Sequence, residues 1–193
     1  MERMTIEFGH HSMNLVFKAK QINLKIYLPR LHHRAIREFK VLQILHNHGL
    51  CVPRPMKLMN ASNCSILIRE YVEGMAFHEA LDKLDAESLR KVLTSLIEQI
   101  HMIENLGIYI PEFTSLSKNV VVNRDKPYII DLERALFRKK PIVTQLLGLI
   151  IKLSKNPKLY RKLSQIIKLE EIKSAAKVYR ETNDIKAIRN IFV

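Results

Sequence analysis

Asn119 and Asp131 bracket the stretch of this chain best suited to chemistry. Between them lie two short apolar runs, 120–122 and 128–130, joined by a polar turn. The pattern predicts a tight β-hairpin, with Asn119 just before its first strand and Asp131 just after its second. An amide and a carboxylate on such a rigid frame are hard oxygen ligands. They suit Mg²⁺ carried by nucleotide phosphates. Chemistry of that kind also needs a cation on the phosphates, held by a carboxylate from a neighbouring helix. Lys25, on an expected strand, and Glu38, on the helix expected after it, have the order and separation for that pair. Lys18 and Lys20 lie one strand early. The plainer reading of the same residues is a surface hairpin with an Asp at its exit, and two surface charges in a Lys-rich chain.

Positioning these four residues falls to a strand-rich first part and a helical second part. Residues 5–8, 15–20 and 24–28 alternate as strands do, and Pro29 ends the third. From 31 to 48 the spacing becomes helical, with Ala35, Phe39, Leu42 and Leu45 on one face and Gly49 as the stop. Strands are expected at 56–59 and 65–71, and the break at 72–74 reads as a linker. Residues 86–106 form the longest amphipathic pattern, with Asp85 as N-cap and Gly107 as stop. Three or four further helices are expected from Ile142 onward, broken at Asn156-Pro157 and Thr182-Asn183. The expected fold class is α+β: a small β-rich lobe with one helix over 1–74, and a larger helical lobe over 75–193 that carries the hairpin.

The 193 residues are 47% hydrophobic with only 5 glycines, enough to bury a sizeable core. A net charge of +13 favours anionic partners without choosing among them. The last third, 152–193, is basic and helical. A nucleic-acid surface and a solvated helical face both fit it, and the solvated face is favoured because no recognition motif stands out. Cys51 and Cys64 form neither a zinc spacing nor a disulfide framework, and both are expected to be buried thiols in a reducing compartment. The histidine pairs 10–11 and 32–33 and the triplet His46-Asn47-His48 lack metal spacing and are expected in surface or capping roles. No apolar stretch follows the first charges, and the apolar run 142–153 is too short to span a bilayer. A soluble cytoplasmic protein without a membrane partner is the expectation.

The residues from Leu106-Gly107-Ile108 through Glu112-Phe113 and Lys118-Asn119-Val120 to Asp131-Leu132-Glu133-Arg134-Ala135 resemble the catalytic and metal-binding segments of protein-kinase-like domains. With Arg138-Lys139-Lys140-Pro141-Ile142-Val143-Thr144 added, the pattern is similar to small archaeal Ser/Thr protein kinases related to the RIO kinases. The resemblance covers roughly residues 15–149 and is strongest over 106–144. It implies a minimal kinase fold using ATP and Mg²⁺. Lys25 would hold the phosphates and Glu38 would orient it. Asn119 and Asp131 would bind the metal. Glu112 would accept the proton of an attacking hydroxyl. The backbone around Glu70, Tyr71 and Val72, in a hinge-like segment ending at Gly74, would face the adenine. A protein substrate and a ribosomal or other RNA-rich partner are implied in the same way.

Several positions depart from the kinase pattern. Gly9 stands alone where kinases place a glycine-rich loop. Thr114 occupies the position, five before Asn119, where a catalytic Asp is usual. Ile110 replaces the usual loop His and Leu132 the aromatic of the metal motif. No Ala-Pro-Glu segment follows. A nucleotide-binding pseudokinase acting as a regulatory or scaffold module is therefore the alternative, and a basic RNA-binding helical protein is the third reading. A small-molecule kinase stays open, because the substrate surface carries no readable motif.

Overall fold

A computed structural model describes residues 4–8, 12–61, 63–111, 113 and 119–193. Glu112, Thr114 and Gly9, all singled out above, lie outside the described residues. The fold is mixed α+β, with an antiparallel sheet towards the N-terminus and helices towards the C-terminus. The chain forms two compact units. One is Met1–Gly74 with Tyr128–Ala135, and the other is Met75–Pro127 with Leu136–Val193.

The first unit is a five-stranded antiparallel sheet in the order β1-β2-β3-β5-β4. Its strands are β1 (Met4–Phe8), β2 (Ser12–Phe17), β3 (Ile22–Tyr27), β4 (Pro55–Ala61) and β5 (Cys64–Glu70). The strand expected over 15–20 stops early. Lys18–Lys20 is an exposed 3-10 turn, and Gln21 follows in the left-handed region at φ 51°. β3 alternates strictly, burying Asn23, Lys25 and Tyr27 on one face. β5 buries Ser65, Leu67 and Arg69 on the same period, with Lys25 opposite Leu67 and Asn23 opposite Arg69.

Helix α1 (His32–Asn47) packs on β3, β4 and β5. Its buried stripe is Ala35, Glu38, Val41, Leu42 and Leu45. Phe39, expected on that stripe, is only half-buried, and the charged Glu38 takes the inward place. The reason is chemical: Lys25 and Arg69 on the facing strands give a carboxylate partners that a phenyl ring would deny them. Gly49 stops the helix at φ 77°, donating its N–H to the His46 carbonyl. Cys51 and Cys64 are free thiols, half-buried rather than fully buried.

In the second unit, β6 (Met75–Ala76) pairs antiparallel with β8 (Val120–Asn123). The short strands β7 (Ile108–Tyr109) and β10 (Leu136–Phe137) form a separate pair. After β8 come Arg124 and Asp125, both at positive φ, and then β9 (Lys126–Ile129), whose Tyr128 and Ile129 belong to the first unit. A two-residue turn of that hand matches strand twist. Helix α2 (Phe77–Lys83) leads to α3 (Ala86–Asn105), whose Asp85 cap accepts the Ser88 N–H at 2.7 Å. Leu89, Val92, Leu93, Leu96, Ile97, Ile100 and Ile103 of α3 form the centre of this unit's core.

Four helices complete the unit: α4 (Val143–Leu153), α5 (Pro157–Leu163), α6 (Ile172–Thr182) and α7 (Lys186–Arg189). Asn156 caps α5, and Asn183 at φ 55° ends α6. Buried Glu104 of α3 accepts the N–H groups of Ile142 (2.7 Å) and Val143 (3.1 Å) at the start of α4. It also bonds the Tyr179 hydroxyl of α6. That hydroxyl lies 2.8 Å from His101 Nδ1, and Asn105 donates to His101 Nε2 at 3.0 Å. One polar chain thus ties α3, α4 and α6. No helix among the described residues is long and apolar enough to cross a membrane.

Candidate active site

Lys25 is the centre of a buried ionic cluster inside the first unit. Its strand points it inward, and it is only 4% exposed. A buried ammonium must be paired. Three carboxylates surround it: it donates to Glu38 Oε2 at 2.9 Å and to Asp131 Oδ1 at 2.9 Å, and it forms an ion pair with Glu133 Oε2 at 3.2 Å. Burial alone would lower its pKa. Glu38, Asp131 and Glu133 outweigh that, so Lys25 is held above the ordinary lysine value and stays charged.

Glu38 is in turn fixed from two other sides. Arg69 Nη1 donates to its Oε1 at 2.6 Å, and the Tyr27 hydroxyl donates to its Oε2. Burial, and then the Glu38 charge, push the Tyr27 phenol far up, so it remains a donor. Arg69 Nη1 also donates to the Ile130 carbonyl at 2.5 Å, and the Ile129 N–H donates to the Cys51 carbonyl at 3.0 Å. These contacts hold the Asp131 segment within the unit. Burial would raise the Asp131 pKa. Lys25 and then Arg69 overcome that and keep the carboxyl below its usual range.

The structure therefore gathers Lys25, Glu38 and Asp131 within one unit. Asn119 is buried in the other unit, immediately ahead of β8. In the hinge-like segment, the Glu70 N–H is taken by the Arg54 carbonyl at 2.9 Å and the Tyr71 N–H by the Gln21 carbonyl at 2.8 Å. Those two donors are structural. Among the described residues, no backbone acceptor takes the Val72 N–H. Lys18 lies over the Tyr71 ring at 5.8 Å.

Sequence reasoning missed Tyr27, Arg69, Arg34 and Glu133. Tyr27 was legible, because it shares the two-residue period of β3 with buried Lys25, whereas the inward direction of Arg69 shows only in the pairing of β5 with β3. Glu133 had no such signal. It is buried and bridges Lys25 to Arg34 Nη1 of α1, at 3.1 Å. Glu38, Asp131 and Glu133 each offer an oxygen within 4.8 Å of the others, and the Asp131 side chain is 39% exposed. A hard, accessible carboxylate beside two others fits a divalent cation of the Mg²⁺ type.

The family model described as RIO domain matches residues 14–152, well over half of the chain. The chain belongs to the RIO domain family. This RIO chain is 29% identical over 121 residues to the KEOPS complex subunit Bud32 of Pyrococcus abyssi (strain GE5 / Orsay). That match covers 63% of the chain and 51% of the relative, so the chain spans about half the relative's length. Among solved structures it is similar to WbdD co-crystallised with the kinase inhibitor LY294002. The TM-score is 0.58 at 16% identity, over 77% of this chain and 36% of that one. WbdD described as a bifunctional kinase-methyltransferase matches at TM-score 0.57 and 18% identity, over 73% and 33%. At such identities these two establish the fold, which is kinase-like. Membership of this kinase-like family agrees with a phosphotransferase class and with the general use of ATP and a divalent metal.

Proposed function

We propose that this RIO-family chain is an ATP- and Mg²⁺-dependent kinase that phosphorylates serine or threonine hydroxyls of a protein, itself included. The observation that carries the reading is the Glu38–Lys25–Asp131 arrangement, in which a buried helix carboxylate orients a buried lysine beside a half-buried, metal-type carboxylate. Bound there, Mg²⁺ would supply charge stabilisation for phosphoryl transfer. Asp131 and Asn119 would hold it. Lys25, kept charged and immobile by Glu38, would hold phosphate oxygens. Glu112 would accept the hydroxyl proton, and the Val72 N–H would donate to the base of the nucleotide. Positioning and charge account for most catalysis of this class. The Bud32 relative is a subunit of a complex, which supports a protein partner here. The basic balance of the chain supports an RNA-rich one.

Calorimetry of Mg²⁺-dependent ATP binding to the wild type and to Asp131→Ala, with γ-phosphate transfer followed in the same samples, tests this. The expected result is binding weakened at least about tenfold in the variant, with phosphate on protein only in the wild type. A wild type that binds no nucleotide would end the reading. One observation favours a second reading, a nucleotide-binding module without efficient transfer. Lys25 is already paired with three carboxylates, two of them by hydrogen bonds, so a phosphate must compete with them for it. Metal-dependent binding with no transfer would select it.

A further inference from the structure

We propose that Glu133 makes this site selective for metal-bound over metal-free nucleotide. The inference rests on the nucleotide reading above. Glu133 is a buried carboxylate that forms an ion pair with Lys25 at 3.2 Å on one side and accepts from Arg34 at 3.1 Å on the other. Its side chain is 9% exposed, so the two cations rather than water satisfy it.

The local charges explain the consequence. Lys25, Arg69 and Arg34 face Glu38, Asp131 and Glu133, three cations against three anions. Without Glu133 the cluster would carry one net positive charge and attract a bare triphosphate. With it the cluster is neutral, and a bare triphosphate brings four negative charges to a site with none to spare. A divalent ion supplies the missing positive charge and has Asp131 as its ligand. Glu38 cannot relieve the balance, because it is fully buried between Lys25, Tyr27 and Arg69. Arg34 pins Glu133 from the α1 side, so the neutralising carboxylate is part of the frame.

Two variants on the intact chain test the proposal, with ATP binding measured by calorimetry in excess EDTA and in excess Mg²⁺. The quantity read is the ratio of the two affinities. Glu133→Gln keeps an acceptor for Lys25 and removes the charge. It is expected to narrow the ratio by about tenfold or more, mainly through tighter metal-free binding. Arg34→Gln removes a cation while leaving every carboxylate, and is expected to widen the ratio. A Glu133→Gln ratio within about twofold of the wild type overturns the proposal and leaves the nucleotide reading standing. Should Glu133→Gln not fold, an Arg34→Gln ratio that fails to widen overturns it equally. A wild type that binds ATP under neither condition removes the nucleotide reading, and this inference with it.

Discussion

Glu38 makes hydrogen bonds to three different side chains and exposes no surface. A carboxylate so placed contributes little net stability by existing, since its desolvation is costly, but its removal strands what it served. Glu38→Ala leaves buried Lys25 and Arg69 short of a partner and the Tyr27 hydroxyl without an acceptor. The expected loss is about 3–5 kcal/mol, read from urea unfolding. Glu38→Gln, which keeps the shape and one acceptor, is expected to cost less. At this scale the sequence was informative where a charge broke an apolar period. Lys25 and Glu38 could be put forward as a pair from their order and separation taken with what phosphoryl transfer requires. Arg69 sits between Ile68 and Glu70 in a run that reads as any half-buried strand, so its inward direction became visible only with the register against β3.

Between elements, the second unit depends on one polar chain that crosses three helices. The His101 ring takes a proton at Nδ1 and offers it to the Tyr179 oxygen, while Nε2 accepts from Asn105. Tyr179 is then free to donate to Glu104, which holds the start of α4. This arrangement needs a neutral imidazole. Burial, the leading cause, lowers the His101 pKa below its ordinary value. A group depressed in the folded state stabilises above its unfolded pKa and loses that contribution as pH falls through the folded one. Stability should therefore fall on acidification below about 6.5, and His101→Gln should flatten that part of the profile. Thermal melts from pH 7.5 to 5 check both. The helices themselves were readable from apolar spacing, Asp85, Gly107 and Asn156. The chain of polar contacts was not, because His101, Asn105 and Tyr179 are joined across 78 positions of sequence.

For the molecule as a whole, length and order sufficed to read an α+β chain with strands first and helices after, and the family match and the kinase-like neighbours agree. The segment Tyr128–Ala135 is the instructive departure. Its position in the chain suggests the helical part, yet it packs with the sheet unit, because Lys25 and Arg69 supply the partners for Asp131, Glu133 and the Ile130 carbonyl. Sequence proximity could not reveal that, since those cations lie far upstream.

The caged state of Lys25 reaches beyond nucleotide binding to the reactivity of the chain. Acylating reagents attack the free amine and need access to it, and most lysines among the described residues are exposed. Lys25 is held protonated, shielded from solvent, and ion-paired with three carboxylates. In a limited acetylation of the folded protein, mapped by mass spectrometry, Lys25 is expected to be labelled last. Its labelling should follow unfolding rather than reagent concentration. The amine that the proposed chemistry depends on is then the one best protected from covalent damage, in a chain otherwise covered with easy targets.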